Sequence, residues 1–302
     1  MGAGAMGSLF GGLLAESGER VWLFDPIFVE HVAHIRSDGL VIEEQGEQRT
    51  VRVNATAEIG GVGVADLLVI FVKAPDTEAA VQGALPAIGD RTRVLSLQNG
   101  LGIVETIEKQ IDRDRILRGT TAHGATLLGP GLIRHAGRGP TAIGTATGDR
   151  DGRLDKIIDV FNRADIETYY VQDTHRLVWE KLLINLAINP LTAIFDVANG
   201  KLISDNELNR IMHHVVREGI QVAQAEGLNI SFQETIEQVE QVCRNTAENF
   251  SSMLQDVRRK GQTEIEFING AVVNRGDRLE IETPLNRLLI KLVTTSSPKR
   301  RS

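Results

Sequence analysis

The sequence predicts an α/β fold, a Rossmann-type doubly wound N-terminal domain followed by an all-α C-terminal domain. Three observations carry this. The glycine-rich turn Gly2-Ala3-Gly4-Ala5-Met6-Gly7 fits the G-x-G-x-x-G pattern and runs into a small, apolar helix. Strand-length apolar runs then alternate with helix-length segments to about residue 172. Beyond it almost every segment has helical periodicity. At 302 residues the chain exceeds the usual single-core size. We therefore place a dinucleotide-binding domain over 1–172 and a helical domain over 173–302.

Each element follows from its residues. Positions 8–17 read as the helix opened by the glycine turn, and Gly18 can stop it. The strand that should precede the turn is missing. In a dinucleotide-binding sheet that strand is central and buried on both faces, so roughly six apolar residues are expected ahead of Met1. Residues 21–24 make a short buried strand ending at Asp25, and a helix with apolar Phe28, Val32 and Ile35 follows. Residues 40–42 and 51–53 pair around the polar turn Gln45-Gly46. The continuous apolar run 67–72 suits a parallel strand covered on both faces. A helix over 77–85 stops near Pro86, and strand 94–97 ends in Gln98-Asn99-Gly100. Residues 116–126, 131–135 and 141–144 are expected to extend the sheet with antiparallel character. A helix over 154–163 and a strand over 167–171 complete the domain. Helices are then expected at 174–195, 205–226, 232–244, 264–275 and 285–295.

Composition excludes several partners. A net charge of −7 supplies no basic face for nucleic acid. The Lys299-Arg300-Arg301 cluster is too short to alter this and is expected to fray. The single cysteine, Cys243, permits no internal disulfide and fits a reducing cytoplasm. No apolar run of the roughly eighteen residues that a membrane span needs is expected. Met1 opens onto a glycine turn, so no signal peptide is read either. No metal is called for, and a homodimer is left open.

The most informative stretch is Trp179-Glu180-Lys181-Leu182-Leu183-Ile184-Asn185-Leu186-Ala187-Ile188-Asn189. Lys181, Asn185 and Asn189 sit at i, i+4 and i+8 and stack into one stripe. A helix otherwise apolar all round is buried, so this stripe must face polar partners or a ligand. Upstream, Asp25 lies at a strand end eighteen positions after Gly7. There it can accept hydrogen bonds from an adenosine ribose, or merely form a turn before Pro26. Lys73 and Asn99 also fall at strand ends, where open α/β sheets bind ligands, although Asn99-Gly100 can be a tight turn alone. Asn249, Ser251 and Ser252 offer short donors at the mouth of a helix, either for a carboxylate or as plain caps. Glu264 can cap a helix or pair with Lys181.

At this point the residues match a known pattern. Over essentially its whole length the chain resembles the ketopantoate reductase (2-dehydropantoate 2-reductase) family. The resemblance rests on Gly2 through Gly7, Val72-Lys73, Asn99-Gly100 and Gly119-Thr120-Thr121-Ala122-His123. It rests further on Trp179-Glu180-Lys181-Leu182 with Asn185 and Asn189-Pro190-Leu191-Thr192-Ala193. Ser251-Ser252-Met253-Leu254-Gln255-Asp256 and Thr263-Glu264-Ile265-Glu266-Phe267-Ile268-Asn269-Gly270 complete it. The resemblance implies a Rossmann domain and a helical domain with the active site between them. It also implies NADPH-dependent reduction of 2-dehydropantoate to (R)-pantoate in pantothenate and coenzyme A synthesis. By matching position, Lys181 is similar to the family's proton donor and Glu264 to the carboxylate of its closed site. Asn185, Asn189, Asn199 and the Asn249 to Ser252 segment correspond to substrate binders. Asn99 corresponds to a residue touching both nicotinamide and substrate. Gly2, Ala3, Gly4, Ala5, Met6, Gly7, Lys73 and Ala125 match cofactor positions.

Elementary chemistry agrees with those roles. A hydride arriving at a ketone carbon leaves alkoxide charge on oxygen, and a positioned cation that can release a proton lowers that barrier. Burial makes a lysine more willing to lose its charge. One position departs from the family. Where an arginine usually meets the 2′-phosphate of NADPH, this chain has Pro26 after Asp25, which favours NADH and leaves NADP or NAD open. The rival activity is therefore an NAD-linked D-2-hydroxy acid dehydrogenase acting on branched 2-keto acids. A non-catalytic nucleotide sensor would have no use for Lys181 and Glu264.

Overall fold

The computed structural model describes residues 1–296, so the Lys299 to Arg301 cluster lies outside the described residues. The chain divides into two compact units. The first comprises Met1–Gln98 and Ile103–Leu177; the second joins Asn99–Gly102 to the chain from Val178 onward.

The first unit opens with α1 (Ala5–Glu16), β1 (Trp22–Phe24) and α2 (Val29–Asp38). The hairpin β2 (Leu40–Glu44) and β3 (Glu47–Val51) follows, then β4 (Asn54–Thr56), β5 (Ala65–Ile70), α3 (Thr77–Ala84) and β6 (Ile88–Ser96). Next come α4 (Ile103–Ile107), β7 (Ile116–Thr121), β8 (Gly124–Gly129), β9 (Leu132–Gly137) and β10 (Thr141–Thr145). The unit closes with α5 (Gly152–Arg163) and β11 (Thr168–Tyr170). Gln45 and Gly46 both take positive φ, 52° and 86°, as a two-residue hairpin turn matched to strand twist requires.

Five strands form one sheet in the order β11-β10-β7-β6-β5, parallel except where β10 meets β7. β1 pairs with β4 in parallel. Met1 and Gly2 touch both pieces: Gly2 N–H donates to Phe24 O at 2.9 Å, and Phe71 N–H donates to Met1 O at 2.8 Å. The glycine turn thus leaves from a point tied to the carboxyl ends of two strands.

One expectation needs correcting here. Residues 116–145 do not all extend the main sheet; β8 and β9 pair with the β2–β3 hairpin in a separate four-stranded sheet, β3-β2-β9-β8. The reason is burial of α1. Leu9, Phe10 and Leu13 share one core with Leu40 and Ile42 of the hairpin and Ile133 of β9, so this second sheet supplies apolar cover. The short elements β4 and α4 carry too few residues to show a period, and sequence reading passes over them.

The second unit is helical apart from its loops. It contains most of α6 (Thr174–Phe195), then α7 (Lys201–Ser204), α8 (Asn206–Ala225) and α9 (Phe232–Asn245). The chain goes on through α10 (Ser252–Arg258), α11 (Ile265–Arg278) and α12 (Pro284–Ser296). The Asp205 side chain accepts from the Glu207 and Leu208 amides, which starts α8 one residue past the expected point. Trp179, Leu182, Leu183, Leu186 and Ala187 place α6 in the middle of the core.

That central position corrects a second expectation. By length and composition α6 is apolar enough to cross a membrane, against the expectation that no such run exists. Within the protein, 67% of that stretch is buried, which is what a helix surrounded by other helices requires.

Candidate active site

The glycine turn is built by steric exclusion. Gly2 has φ +87°, and a Cβ at Gly7 would lie 1.9 Å from Gly2 O, so any side chain there would break the turn. A Cβ at Gly4 would meet nothing within 4 Å. Gly4 caps α1 with no side-chain hydrogen bond, which leaves the first helix amides turned toward an open approach. This is the geometry a dinucleotide pyrophosphate uses. Ala5 and Met6, half-buried, form the first turn of α1 itself.

Ala3 is held from both sides. Its N–H donates to Asp25 Oδ2 at 2.7 Å, while its carbonyl accepts from Ser8 Oγ at 3.0 Å. Asp25 Oδ1 accepts in turn from Ile27 N–H at 2.9 Å and Phe28 N–H at 3.0 Å. With only 4% exposure, this carboxylate accepts from three backbone donors. Asp25 therefore braces the glycine turn against its own loop. Ser8 and His31, which sequence reading did not single out, complete the support. Gly131 N–H donates to His31 Nδ1 at 2.9 Å, which leaves Nε2 to donate to Ser8 Oγ at 3.0 Å. Burial holds His31 below its ordinary range, so the ring stays neutral as this pattern demands.

Lys73 and Ala125, two further cofactor expectations, lie in the same unit, whereas Asn99 and Glu264 belong to the second. Lys73, half-buried, follows β5 and precedes a short turn at Ala74–Asp76. Ala125 lies on β8 opposite His135 of β9, and β8 packs against α1.

In the second unit, α6 gathers four polar side chains. Lys181 is half-buried and Glu264, just before α11, is 7% exposed. Asn99 Nδ2 donates to Glu264 Oε2 at 3.4 Å, and Asn185 Nδ2 reaches Asn99 Oδ1 at 3.5 Å. Burial lowers the Lys181 ammonium to about 8, opposed by the charge of Glu264. Asn99 is delivered by the backbone beside it. Gly100 has φ +100°, a Cβ there would lie 2.5 Å from Phe267 O, and Leu101 N–H donates to that oxygen at 3.1 Å. The Asn99-Gly100 turn is thus pinned onto α11 next to Glu264.

One turn further along α6 the stripe continues with Asn189, 5% exposed. Thr192 Oγ1 donates to Ser251 Oγ at 2.7 Å, and Ser251 accepts from Leu254 N–H at 3.1 Å as the cap of α10. Ser251 is therefore the structural cap, while Ser252 and Asn249 are exposed. Asn199 N–H donates to Asn249 O at 3.0 Å, and Asn199 Nδ2 donates to Thr246 Oγ1 at 2.8 Å. Asn199 Oδ1 is buried and unpartnered, an acceptor available to a ligand donor. Among the described residues no three His, Cys, Asp or Glu side chains cluster so as to hold a metal ion.

A Rossmann-type unit with a braced glycine turn, continued by a helical unit carrying a lysine–carboxamide stripe, defines a dinucleotide-dependent oxidoreductase. Residues 1–148 match the family described as "Ketopantoate reductase PanE/ApbA", and residues 173–296 match its C-terminal description. The chain belongs to this ketopantoate reductase family. It is 40% identical over 293 residues to a 2-dehydropantoate 2-reductase of Halobacterium salinarum, covering 97% of this chain and 96% of that one. A 2-dehydropantoate 2-reductase of Pyrococcus horikoshii is 38% identical at 97% and 95% coverage. Among solved structures, a ketopantoate reductase of Ralstonia eutropha superposes with a TM-score of 0.89 at 31% identity, covering 98% and 97%. A D-mandelate dehydrogenase ternary complex with NADH and anilino(oxo)acetate superposes at 0.93 and 29% identity, covering 98% and 96%.

Proposed function

We propose that this chain is a 2-dehydropantoate 2-reductase, reducing a small 2-keto acid to (R)-pantoate in the cytoplasmic synthesis of pantothenate. The observation that carries this reading is the α6 cluster, in which Asn185, Asn99 and Glu264 form a hydrogen-bonded chain and the Glu264 charge acts on the buried Lys181 ammonium. When bound, the nicotinamide cofactor supplies a hydride to the keto carbon. Lys181 then gives its proton to the oxygen that gains charge, and an ammonium near 8 can do so close to neutral pH. Glu264 keeps that ammonium charged before transfer. Asn99 and Asn185 orient carbonyl and hydroxyl groups without adding charge. Asn189, Asn199, Asn249 and Ser252 are assigned to the rest of the substrate.

The dinucleotide is assigned to residues 1–172 through Gly2, Ala3, Gly4, Ala5, Met6 and Gly7, with Lys73 and Ala125, and the keto acid to residues 173–302 together with Asn99. Asn99 and Glu264 are also assigned contacts to the nicotinamide. In this reading Asp25 acts on the cofactor through Ala3 and not by touching the ribose. Pro26 offers no cation to a 2′-phosphate, so NADH should serve at least as well as NADPH.

A second reading, an NAD-linked D-2-hydroxy acid dehydrogenase, is favoured by the NADH-bound mandelate dehydrogenase likeness and by Asp25-Pro26. One experiment separates the two: initial rates with 2-dehydropantoate and with 2-ketoisovalerate, each with NADH and NADPH. Preference for 2-dehydropantoate is the expected result. A kcat/KM more than about tenfold higher for 2-ketoisovalerate would overturn it.

A further inference from the structure

The helix that carries Lys181 is broken inside its own hydrogen-bond ladder. Pro190 lies within α6, and a proline has no N–H for the carbonyl four residues earlier. That carbonyl belongs to Leu186, whose residue is 0% exposed, so water cannot satisfy it. Asn269 of α11 does so instead: its Nδ2 donates to Leu186 O at 2.8 Å. A side-chain amide from another helix thus replaces the missing backbone donor.

The replacement is held in place by a chain of buried groups. Asn269 Nδ2 also donates to Asn286 Oδ1 at 2.8 Å, which uses both of its hydrogens. Asn286 Nδ2 donates to Glu218 Oε2 at 2.8 Å and to Val215 O at 3.2 Å. Glu218 is fixed by the Leu285 and Asn286 amides, each at 2.9 Å, at the start of α12. Asn269 and Asn286 are both 0% exposed. Every donor in this chain is spent, whereas Asn269 Oδ1 is left buried with no partner. The side chain serves as a donor at the expense of its own acceptor, and a flipped amide would set oxygen against oxygen at Leu186.

We infer that Asn269 is a positioning residue for the reaction, acting as a surrogate N–H for Leu186 and so fixing how α6 bends between Asn185 and Asn189. Lys181 and Asn185 precede the interrupted rung, and Asn189 sits beside Pro190 within it. The relative placement of the two halves of the polar stripe therefore depends on this one amide. The inference rests on the proposed reductase reading for its kinetic consequence, but its structural content stands without it.

The test is a double-mutant cycle between Asn269→Leu and Pro190→Ala in the full chain, because alanine at 190 restores a backbone N–H to Leu186 O. Asn269→Leu should raise the KM for 2-dehydropantoate and lower kcat, each by about tenfold or more, at temperatures well below its melting point, and leave the Kd for NAD(P)H unchanged. Pro190→Ala alone should stay near wild type. The double variant should regain most of the lost melting temperature and most of the lost kcat/KM. If Asn269→Leu does not fold, the double variant should still fold, and failure of both would overturn the inference. So would a double variant no better than Asn269→Leu. An Asn269→Leu protein with a lowered melting temperature and wild-type kinetics would reduce Asn269 to a structural role and refute positioning. Should the wild type not turn over 2-dehydropantoate, the functional reading fails, while the melting-temperature arm still decides the surrogate donor.

Discussion

The glycine turn of the first unit offers backbone to a ligand, whereas α6 of the second offers side chains. At the turn, Gly2 and Gly7 are so close that no Cβ fits, and Asp25, Ser8 and His31 serve to hold the main chain of Ala3 in place. On α6 the backbone is buried, and chemistry resides in Lys181, Asn185 and their partners Asn99 and Glu264. The difference shows how each site should fail. A backbone site is lost through shape, so its variants disturb structure and binding together. A side-chain site is lost through chemistry, so its variants can keep the fold and lose the reaction.

The largest effect should come from breaking the chemistry alone. Lys181→Ala is expected to lower kcat by roughly 10²–10⁴, the range for a lost general acid, while leaving the melting temperature intact. An unchanged turnover number would remove Lys181 from the mechanism. Breaking shape comes next. Gly7→Ala forces a Cβ to within 1.9 Å of Gly2 O, and nicotinamide fluorescence titration should show cofactor Kd raised by more than about tenfold. Asp25→Asn sharpens the same side of the comparison. It weakens a carboxylate that three amides address, so binding of NADH and NADPH should both weaken, by about tenfold. A selective gain for NADPH would instead return Asp25 to reading the ribose.

The pH profile probes the side-chain site. Burial disfavours the charged form of Lys181, so the ammonium persists below about 8 and is lost above it. Reduction must therefore decline as pH rises through about 8, with roughly a tenfold fall per further unit, and oxidation should not share that decline. A flat kcat for reduction across a pH titration from about 7 to about 9.5 would contradict the assignment. The smallest effect should be at Ser251. Removing this cap of α10 by Ser251→Ala should cost about 1 kcal/mol in denaturant unfolding, with little change in cofactor binding.

Local signals reached far into this molecule. The 22-residue span of α6 agrees with the expected 174–195, because a long apolar run with polar residues spaced four apart needs no knowledge of the partner. The stripe of Lys181, Asn185 and Asn189 was legible for the same reason, as were the glycine turn and the Gln45-Gly46 hairpin. That Asp25 braces Ala3 was not legible, since that hydrogen bond joins positions 22 residues apart and depends on where the glycine turn lies. Ser8 and His31 gave only a faint signal, a hydroxyl directly after Gly7 and a polar residue on the buried face of α2.

The sequence by itself determined the longer helices and strands, which face of α6 is polar, and where the glycine turn lies, because these follow from periodicity and residue chemistry a few positions apart. Tertiary structure decided that β8 and β9 join the hairpin, that Asn99 travels with Glu264, and that Asn269 answers the carbonyl orphaned by Pro190. Those contacts join residues tens of positions apart, and a hydrogen bond across that separation exists only once the surrounding core has fixed both ends.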